Sequence, residues 1–113
     1  YELIVGAIRD KTFGPTIMLG SGGTLVELMK DVTFNLAPIE RNDCLEMLRE
    51  IKLFPGISSH NEKKTIDSEQ IAALCMRTSD LIVDFPQIQE MELNPVAVDE
   101  NRLVALDARI ILS

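Results

Sequence analysis

The spacing of apolar residues changes twice along this chain of 113 residues. The first third holds short runs rich in β-branched side chains, a composition that favours strands. From Ile39 onward the apolar residues recur with helical spacing, and after Pro86 the strand-like runs return. Two blocks of strands therefore surround a helical block, which restricts the chain to a sheet covered by helices.

The amino-terminal block contains four strand candidates. The runs from Glu2 to Ile8 and from Pro15 to Leu19 are separated by the turn-like RDKTFG, so they predict a hairpin. The runs TLVELM and VTFNLAP, on either side of Lys30-Asp31, supply the third and fourth candidates.

The helical block predicts two helices. The first is expected from Ile39 to Lys52, with Asn42 or Asp43 capping its start. The second is expected from about Ser68 to Asp84, where Pro86 stops it because proline cannot continue a helix. A closing hairpin follows.

The predicted order is β-β-β-β-α-α-β-β, an α+β domain in which two helices cover one face of a mostly antiparallel sheet. A chain of 113 residues can bury one core, so residues 1–113 are interpreted as a single domain. The chain begins inside a strand-like run without an initiator methionine, and we expect it to be a fragment of a longer protein.

Composition disfavours two classes of partner. The net charge is −7, with 18 acidic against 11 basic residues, so the sequence lacks the basic face that nucleic acid requires. No window approaches the roughly 18 consecutive apolar residues of a membrane span, so no membrane partner is expected. Cys44 and Cys75 are isolated in apolar helical patterns, which indicates two reduced core thiols of a cytoplasmic protein.

The closing segment MELNPVAVDENRLVALDARI carries polar residues where a half-buried strand would hold Val or Ile. Glu92 and Asn94 share one strand face, as do Asp107 and Arg109, because successive side chains alternate. If Glu100-Asn101 form a two-residue turn, Asn94 lies opposite Asp107 and Glu92 lies opposite Arg109. A slip of one residue would send the two pairs to opposite faces.

Two interpretations of these four residues remain open. Opposed Cβ atoms lie about 4.5–5.5 Å apart, which suits an Mg²⁺ held by Asn94 and Asp107, with Arg109 on a phosphate and Glu92 steering a reacting group. Alternatively, Glu92 and Arg109 form a cross-strand ion pair on a solvated face, and Asn94 is a turn residue before proline.

Three other features have a functional and a plain structural interpretation. Gly22 and Gly23, in GSGGTLVEL, could form a backbone nest for phosphate, or a hairpin turn. The cluster Arg9-Asp10-Lys11 could contact phosphate, but a solvated turn is its default interpretation. His60, the single histidine, lies in a polar loop and is expected to face solvent.

The chain as a whole resembles the carboxyl-terminal subdomain of the ATP-grasp module in NDP-forming acyl-CoA synthetases, the ADP-forming acetyl-CoA synthetase family related to succinyl-CoA synthetase. The segments that carry the resemblance occur in family order and are RDxxFGP, GxGGxxVE, DFPxIxExExNP and DARI.

This resemblance implies a reversible reaction in which acyl-CoA, ADP and phosphate become acid, CoA and ATP through an acyl phosphate and a phosphohistidine. It implies Asn94 and Asp107 as Mg²⁺ ligands, and Glu92 as the group that orients the phosphohistidine or assists the metal. Gly22 and Gly23 match the glycine-rich turn. ATP or ADP is then a substrate and Mg²⁺ the cofactor.

This sequence also departs from the family pattern at some positions. An Arg-Gly pair frequent between the family's helices is replaced here by the loop FPGISSHNEKKTID, and His60 does not match the phosphohistidine. The implied partners are the amino-terminal ATP-grasp subdomain and the CoA-binding and ligase parts, so the fragment alone is expected to be inactive. The alternative is a regulatory or assembly domain without catalysis, for example one fused to a protein acetyltransferase.

Overall fold

A computed structural model describes residues 2–22, 31–51, 68–98 and 102–113. Within these ranges the elements are β1 (Glu2–Asp10), β2 (Gly14–Ser21), β3 (Val32–Leu36), α1 (Arg41–Glu50), α2 (Ser68–Asp84), β4 (Ile88–Val98), β5 (Leu103–Ala105) and β6 (Ala108–Leu112). The predicted α+β class is confirmed.

The strands form one antiparallel sheet in the order β3-β2-β1-β4-β5, and β6 also pairs with β4. The long strands β1 and β4 lie at its centre, in direct contact. Strand β4, the first strand after the helices, therefore pairs on one side with the amino-terminal strand β1 and on the other with β5 and β6.

The core lies between the two helices and one face of this sheet. On β1 every second residue, Leu3, Val5 and Ala7, belongs to it, as the strand period requires. The helices contribute their apolar stripes, including Leu48, which is 2% exposed, and Ile82, which is fully buried. Each such side chain stabilises the fold by about 1.5–3 kcal/mol through removal from water.

The opposite face of the sheet is not covered by the two helices. It carries exposed apolar side chains, among them Phe34 at 59% and Leu36 at 51% exposure. Ile8 on β1 is likewise exposed. Within the described ranges, neither helix is long and apolar enough to cross a membrane.

The prediction for the start of α1 was wrong by two or three residues. Its N-cap is Glu40, and the backbone N–H of Glu40 donates to the Asp43 carboxylate at 2.8 Å. The backbone N–H of buried Ile39 donates to the Ser79 hydroxyl at 3.0 Å, which ties the chain to α2 just before the helix begins. The predicted bounds of α2, Ser68 to Asp84, are confirmed.

The remaining strand predictions were confirmed, fall outside the described residues, or were wrong in part. VTFNLAP forms β3, whereas TLVELM lies outside the described residues. The second strand of the closing hairpin, expected to be continuous, is divided into β5 and β6. Across the break, Pro95 has no N–H to donate, which interrupts the ladder at this point.

Candidate functional site

The last three strands bring the four polar candidates together. Glu92 pairs with Arg109, and Val98 with Leu103, so the same register continues on both sides of the break. Between them the Asn94 N–H donates to the Asp107 carbonyl at 3.1 Å. The predicted opposition of Glu92 to Arg109 and of Asn94 to Asp107 is confirmed.

These side chains line a cavity of about 150 Å³ on the sheet face that the helices leave open. Arg109 Nη2 donates to Glu92 Oε1 at 3.2 Å, and Asn94 Nδ2 donates to Glu92 Oε2 at 3.3 Å. Asp107 Oδ1 accepts the N–H of Ala108 at 2.9 Å. Glu92 thus lies at the centre of the cluster, with one carboxylate oxygen on each neighbour.

The predicted ion pair between Glu92 and Arg109 therefore exists, and its presence does not exclude the metal interpretation. Glu92 and Asp107 carry two negative charges and Arg109 one positive charge. Because the Asn94 amide nitrogen is directed at Glu92, its Oδ1 is left as an acceptor. The cavity thus has hard oxygen donors and a net negative charge.

The donor chemistry fits Mg²⁺, which takes one or two protein oxygens and fills its remaining positions with water and phosphate. The Asn94 amide oxygen and the Asp107 carboxylate are oxygens of this kind. In the described part of the chain no three His, Cys, Asp or Glu residues cluster at metal-binding distance.

A second, mostly apolar cleft of about 210 Å³ lies on the same sheet face. Met18 and Phe34 line it on one side, and Glu90 and Glu92 on the other. Glu92 therefore borders both the polar cavity and the apolar cleft. This cleft is not evident from the sequence, because its walls come from β1, β2 and β3 near the start of the chain and from β4 near its end.

The glycine-rich turn is described only as far as Gly22. A Cβ atom there would lie 2.7 Å from the Glu2 Cβ, and the Gly22 N–H donates to the Glu2 carbonyl at 2.8 Å. The close approach of Gly22 to β1 is thus sufficient to explain why a glycine is needed at this position. Its N–H already donates to Glu2. Gly23 lies outside the described residues, so phosphate binding by the turn stays a prediction.

Arg9 was expected in a solvated turn or against phosphate, and its position matches neither expectation. Its guanidinium donates to the carbonyls of Ile82 and Phe85 at the end of α2 and to that of Ile88, the first residue of β4, at 3.1 Å. Arg9 therefore joins the carboxyl end of α2 to the start of the strand that carries Glu92.

Asp10 does close a turn, as the default interpretation required. Its carboxylate accepts the N–H groups of Phe13 and Thr12, each at 2.8 Å. These bonds favour the charged form and lower the pKa of the Asp10 carboxyl. Gly14, at φ 80°, completes the turn in a conformation that few other residues adopt.

The two cysteines do not line this cavity. Cys44 and Cys75 are free and buried, as predicted. The neighbouring Cys44 side chain and burial both raise the pKa of the Cys75 thiol, which keeps it protonated. His60 lies outside the described residues.

One residue near the cavity was missed by the sequence analysis. The Glu90 carboxylate lies 3.6 Å from Arg109 Nη2, on the same face as Glu92. The alternation of Glu90, Glu92 and Asn94 in QEMELNP could have indicated it, since residues two apart in a strand share a face.

Comparison with known proteins places these features in context. Residues 1–112 match the ATP-grasp domain family. The chain is 43% identical over 111 residues to the beta subunit of an ADP-forming acetate–CoA ligase I from Pyrococcus furiosus, covering 98% of this chain and 48% of the relative. It is 46% identical over 111 residues to an ADP-forming acetate–CoA ligase I from Archaeoglobus fulgidus, covering 98% of this chain and 16% of that protein.

Solved structures of related enzymes have the same fold as this chain. A dinucleotide-forming acetyl-coenzyme A synthetase 1 from Ca. Korarchaeum cryptofilum, in complex with coenzyme A and Mg-AMPPCP, has a TM-score of 0.91 at 39% identity, covering 99% of this chain and 53% of that one. In that structure the phosphohistidine segment points towards the nucleotide-binding site. The present chain spans about half, or less, of the length of these relatives. With a match to the family over nearly its full length, the chain belongs to the ATP-grasp domain family, and its relatives are ADP-forming acyl-CoA synthetases.

Proposed function

We propose that this chain forms one wall of the nucleotide and Mg²⁺ site of an ADP-forming acyl-CoA synthetase. The parent enzyme would convert acyl-CoA, ADP and phosphate into acid, CoA and ATP. The observation that carries the proposal is the single cavity shared by Glu92, Asn94, Asp107 and Arg109. The relatives named above support the reaction class.

Asn94 and Asp107 are the proposed metal ligands. Asn94 would bind through its amide oxygen, because its nitrogen is held by Glu92, and Asp107 through its carboxylate. Bound Mg²⁺ would neutralise charge on phosphate oxygens, which is the main electrostatic requirement of phosphoryl transfer.

Arg109 and Glu92 have complementary proposed roles. The Arg109 side chain is 62% exposed at the cavity and can donate to a phosphate oxygen while keeping its position on β6. Glu92 would accept a hydrogen bond from the incoming histidine of the ligase part and so orient it. Glu92 is the proposed catalytic residue because it would touch the histidine that carries the phosphoryl group to ADP.

The apolar cleft next to this cavity suits the nucleoside part of the substrate. Its Met18 and Phe34 walls are apolar, and Glu92 borders both cavities. A nucleotide has an apolar base and charged phosphates, so it could place one part in each. The glycine-rich turn, through Gly23, is proposed to contribute backbone N–H groups to phosphate.

The proposed partners of this wall of the nucleotide site are the amino-terminal ATP-grasp subdomain and the CoA-binding and ligase parts of the parent enzyme. Mg-AMPPCP and coenzyme A accompany the Korarchaeum relative, which supports this arrangement. We place the enzyme in the cytoplasm, where two unpaired buried thiols such as Cys44 and Cys75 are ordinary.

The decisive experiment compares Asp107→Asn with wild type in the intact parent enzyme. Removing the charge of a direct ligand should weaken apparent Mg²⁺ affinity by at least about 10-fold, since loss of an outer-shell partner alone costs about 10- to 100-fold, and should slow ATP formation from acyl-CoA, ADP and phosphate. Asp80→Asn is the matched control, because Asp80 is an exposed aspartate on α2, away from the cavity.

Two outcomes would contradict the proposal. An unchanged Mg²⁺ requirement in Asp107→Asn would remove this aspartate from the metal site. A folded parent that cleaves no short acyl-CoA in the presence of ADP and phosphate would instead favour the regulatory or assembly domain.

A further inference from the structure

Arg109 lies between two carboxylates on the open sheet face. Its Nη2 atom is 3.2 Å from Glu92 Oε1 and 3.6 Å from Glu90 Oε1. Glu92 is directly across the ladder from Arg109, whereas Glu90 is across from Ile111 and reaches Arg109 diagonally. Diagonal neighbours in a sheet lie within reach of long side chains, so this contact follows from the register.

The two carboxylates are not equivalent. Glu92 is shared, because its second oxygen accepts from Asn94 Nδ2 at 3.3 Å. Glu90 is on the far side of Arg109 from Asn94 and borders the apolar cleft instead. If Glu92 turns to accept a hydrogen bond from an incoming group, its bond to Arg109 is weakened, while the Glu90 contact can persist.

We propose that Glu90 is a positioning residue that holds Arg109 at the cavity when Glu92 turns to another partner. The inference rests on the proposed function in that Glu92 is expected to engage a reacting group. Without Glu90, Arg109 would depend on Glu92 alone, and a rotation of Glu92 toward the reacting group would loosen its hold on Arg109. Glu90 acts through Arg109 and does not touch the phosphoryl group.

The test is a set of Glu90→Gln variants of the intact parent enzyme. In wild-type background, Glu90→Gln should raise the KM for phosphate or nucleotide by about two- to fivefold with little change in kcat, the size expected for one exposed ion pair. Glu90→Asp should restore part of the loss. Glu46→Gln, which alters an exposed glutamate on α1, serves as the matched control and should leave KM unchanged.

Two double variants test whether Glu90 affects KM through Arg109. In Arg109→Met, adding Glu90→Gln should change nothing, because the residue through which Glu90 acts is gone. In Glu92→Gln, adding Glu90→Gln should cost more than in wild type, since Glu90 is then the remaining carboxylate beside Arg109. A merely structural role would instead lower the unfolding midpoint to the same extent in all three backgrounds.

The outcomes separate this inference from the proposed function. If Glu90→Gln has the same effect on KM with and without Arg109, Glu90 acts directly on the bound charge and the inference is wrong. If it has no effect in any background, the inference is wrong as well. If Asp107→Asn leaves the Mg²⁺ requirement unchanged, the proposed metal site fails, whatever Glu90→Gln does.

Discussion

Replacing Arg9 should destabilise the fold and displace the start of the strand that carries Glu92. The Arg9 guanidinium donates to three backbone carbonyls, those of Ile82, Phe85 and Ile88. The Ile82 carbonyl lies in the last turn of α2, where carbonyls have no partner inside the helix and the helix dipole favours a cation, and the Phe85 carbonyl, one residue beyond α2, also accepts the Ile88 N–H at 2.9 Å.

The magnitude follows from those three bonds. A hydrogen bond contributes about 1 kcal/mol net, so Arg9→Met should lower the free energy of unfolding by about 3 kcal/mol. With a urea slope of about 2 kcal/mol/M for a domain of this size, the unfolding midpoint should fall by about 1.5 M. Arg9→Lys keeps the charge but not the planar fork and should lose roughly half as much.

Urea unfolding followed by circular dichroism measures this directly. Arg77→Met is the matched control, because Arg77 is an exposed arginine on the surface of α2 and its loss should move the midpoint little. A midpoint for Arg9→Met equal to that of the Arg77→Met control would show that the three carbonyls are satisfied equally well by water. The stabilising role of Arg9 would then be refuted.

Three further predictions concern packing, acid stability and thiol reactivity. Gly22→Ala places a Cβ 2.7 Å from a side-chain atom of β1 and should destabilise the fold by about 1–3 kcal/mol in the same urea assay; a neutral effect would mean that the two strands separate easily. The hydrogen bond and charge of Arg41 lower the pKa of the Glu69 carboxyl. A carboxyl whose pKa is lowered by folding stabilises the protein above its unfolded-state pKa, and this stabilisation is lost as the pH falls through its folded-state pKa. Glu69→Gln should therefore make the free energy of unfolding depend less on pH between about pH 5 and 3. An unchanged slope of stability against pH would contradict this. Buried Cys75 should react with a thiol reagent at pH 8 only after unfolding, and reaction in the native protein would mean that the interface between α1 and α2 opens.

Most of the fold followed from the sequence because local patterns decide it. Short runs rich in β-branched residues placed β1 and β2, and the apolar helical stripe, with Pro86 as the stop, placed α2. The start of α1 was misplaced because Glu40 and Asp43 cap it reciprocally, a local signal that was passed over, while Ile39, just before the helix, donates to Ser79, 40 positions away. No local signal in the sequence encodes that bond.

The candidate site was predictable in part. Strand parity reduced the choice to two registers, and a two-residue turn was the condition for placing Glu92 opposite Arg109; the structure decided for that register. The break between β5 and β6 was missed, although Pro95 was visible in the sequence. Glu90 was missed because its relation to Arg109 is diagonal and appears only once the strands are paired.

The sequence by itself determined the α+β class, the order of most elements, the polar residues of the closing strands and the family to which the chain belongs. These depend on residue type and spacing, which are local properties. The tertiary structure alone decided that Arg9 joins α2 to β4, that Gly22 is a point of close approach, and that an apolar cleft adjoins the polar cavity. The Arg9 link and the cleft depend on the long-range pairing of β1 with β4, which brings together residues about 80 positions apart, whereas the Gly22 contact arises between the paired strands β1 and β2.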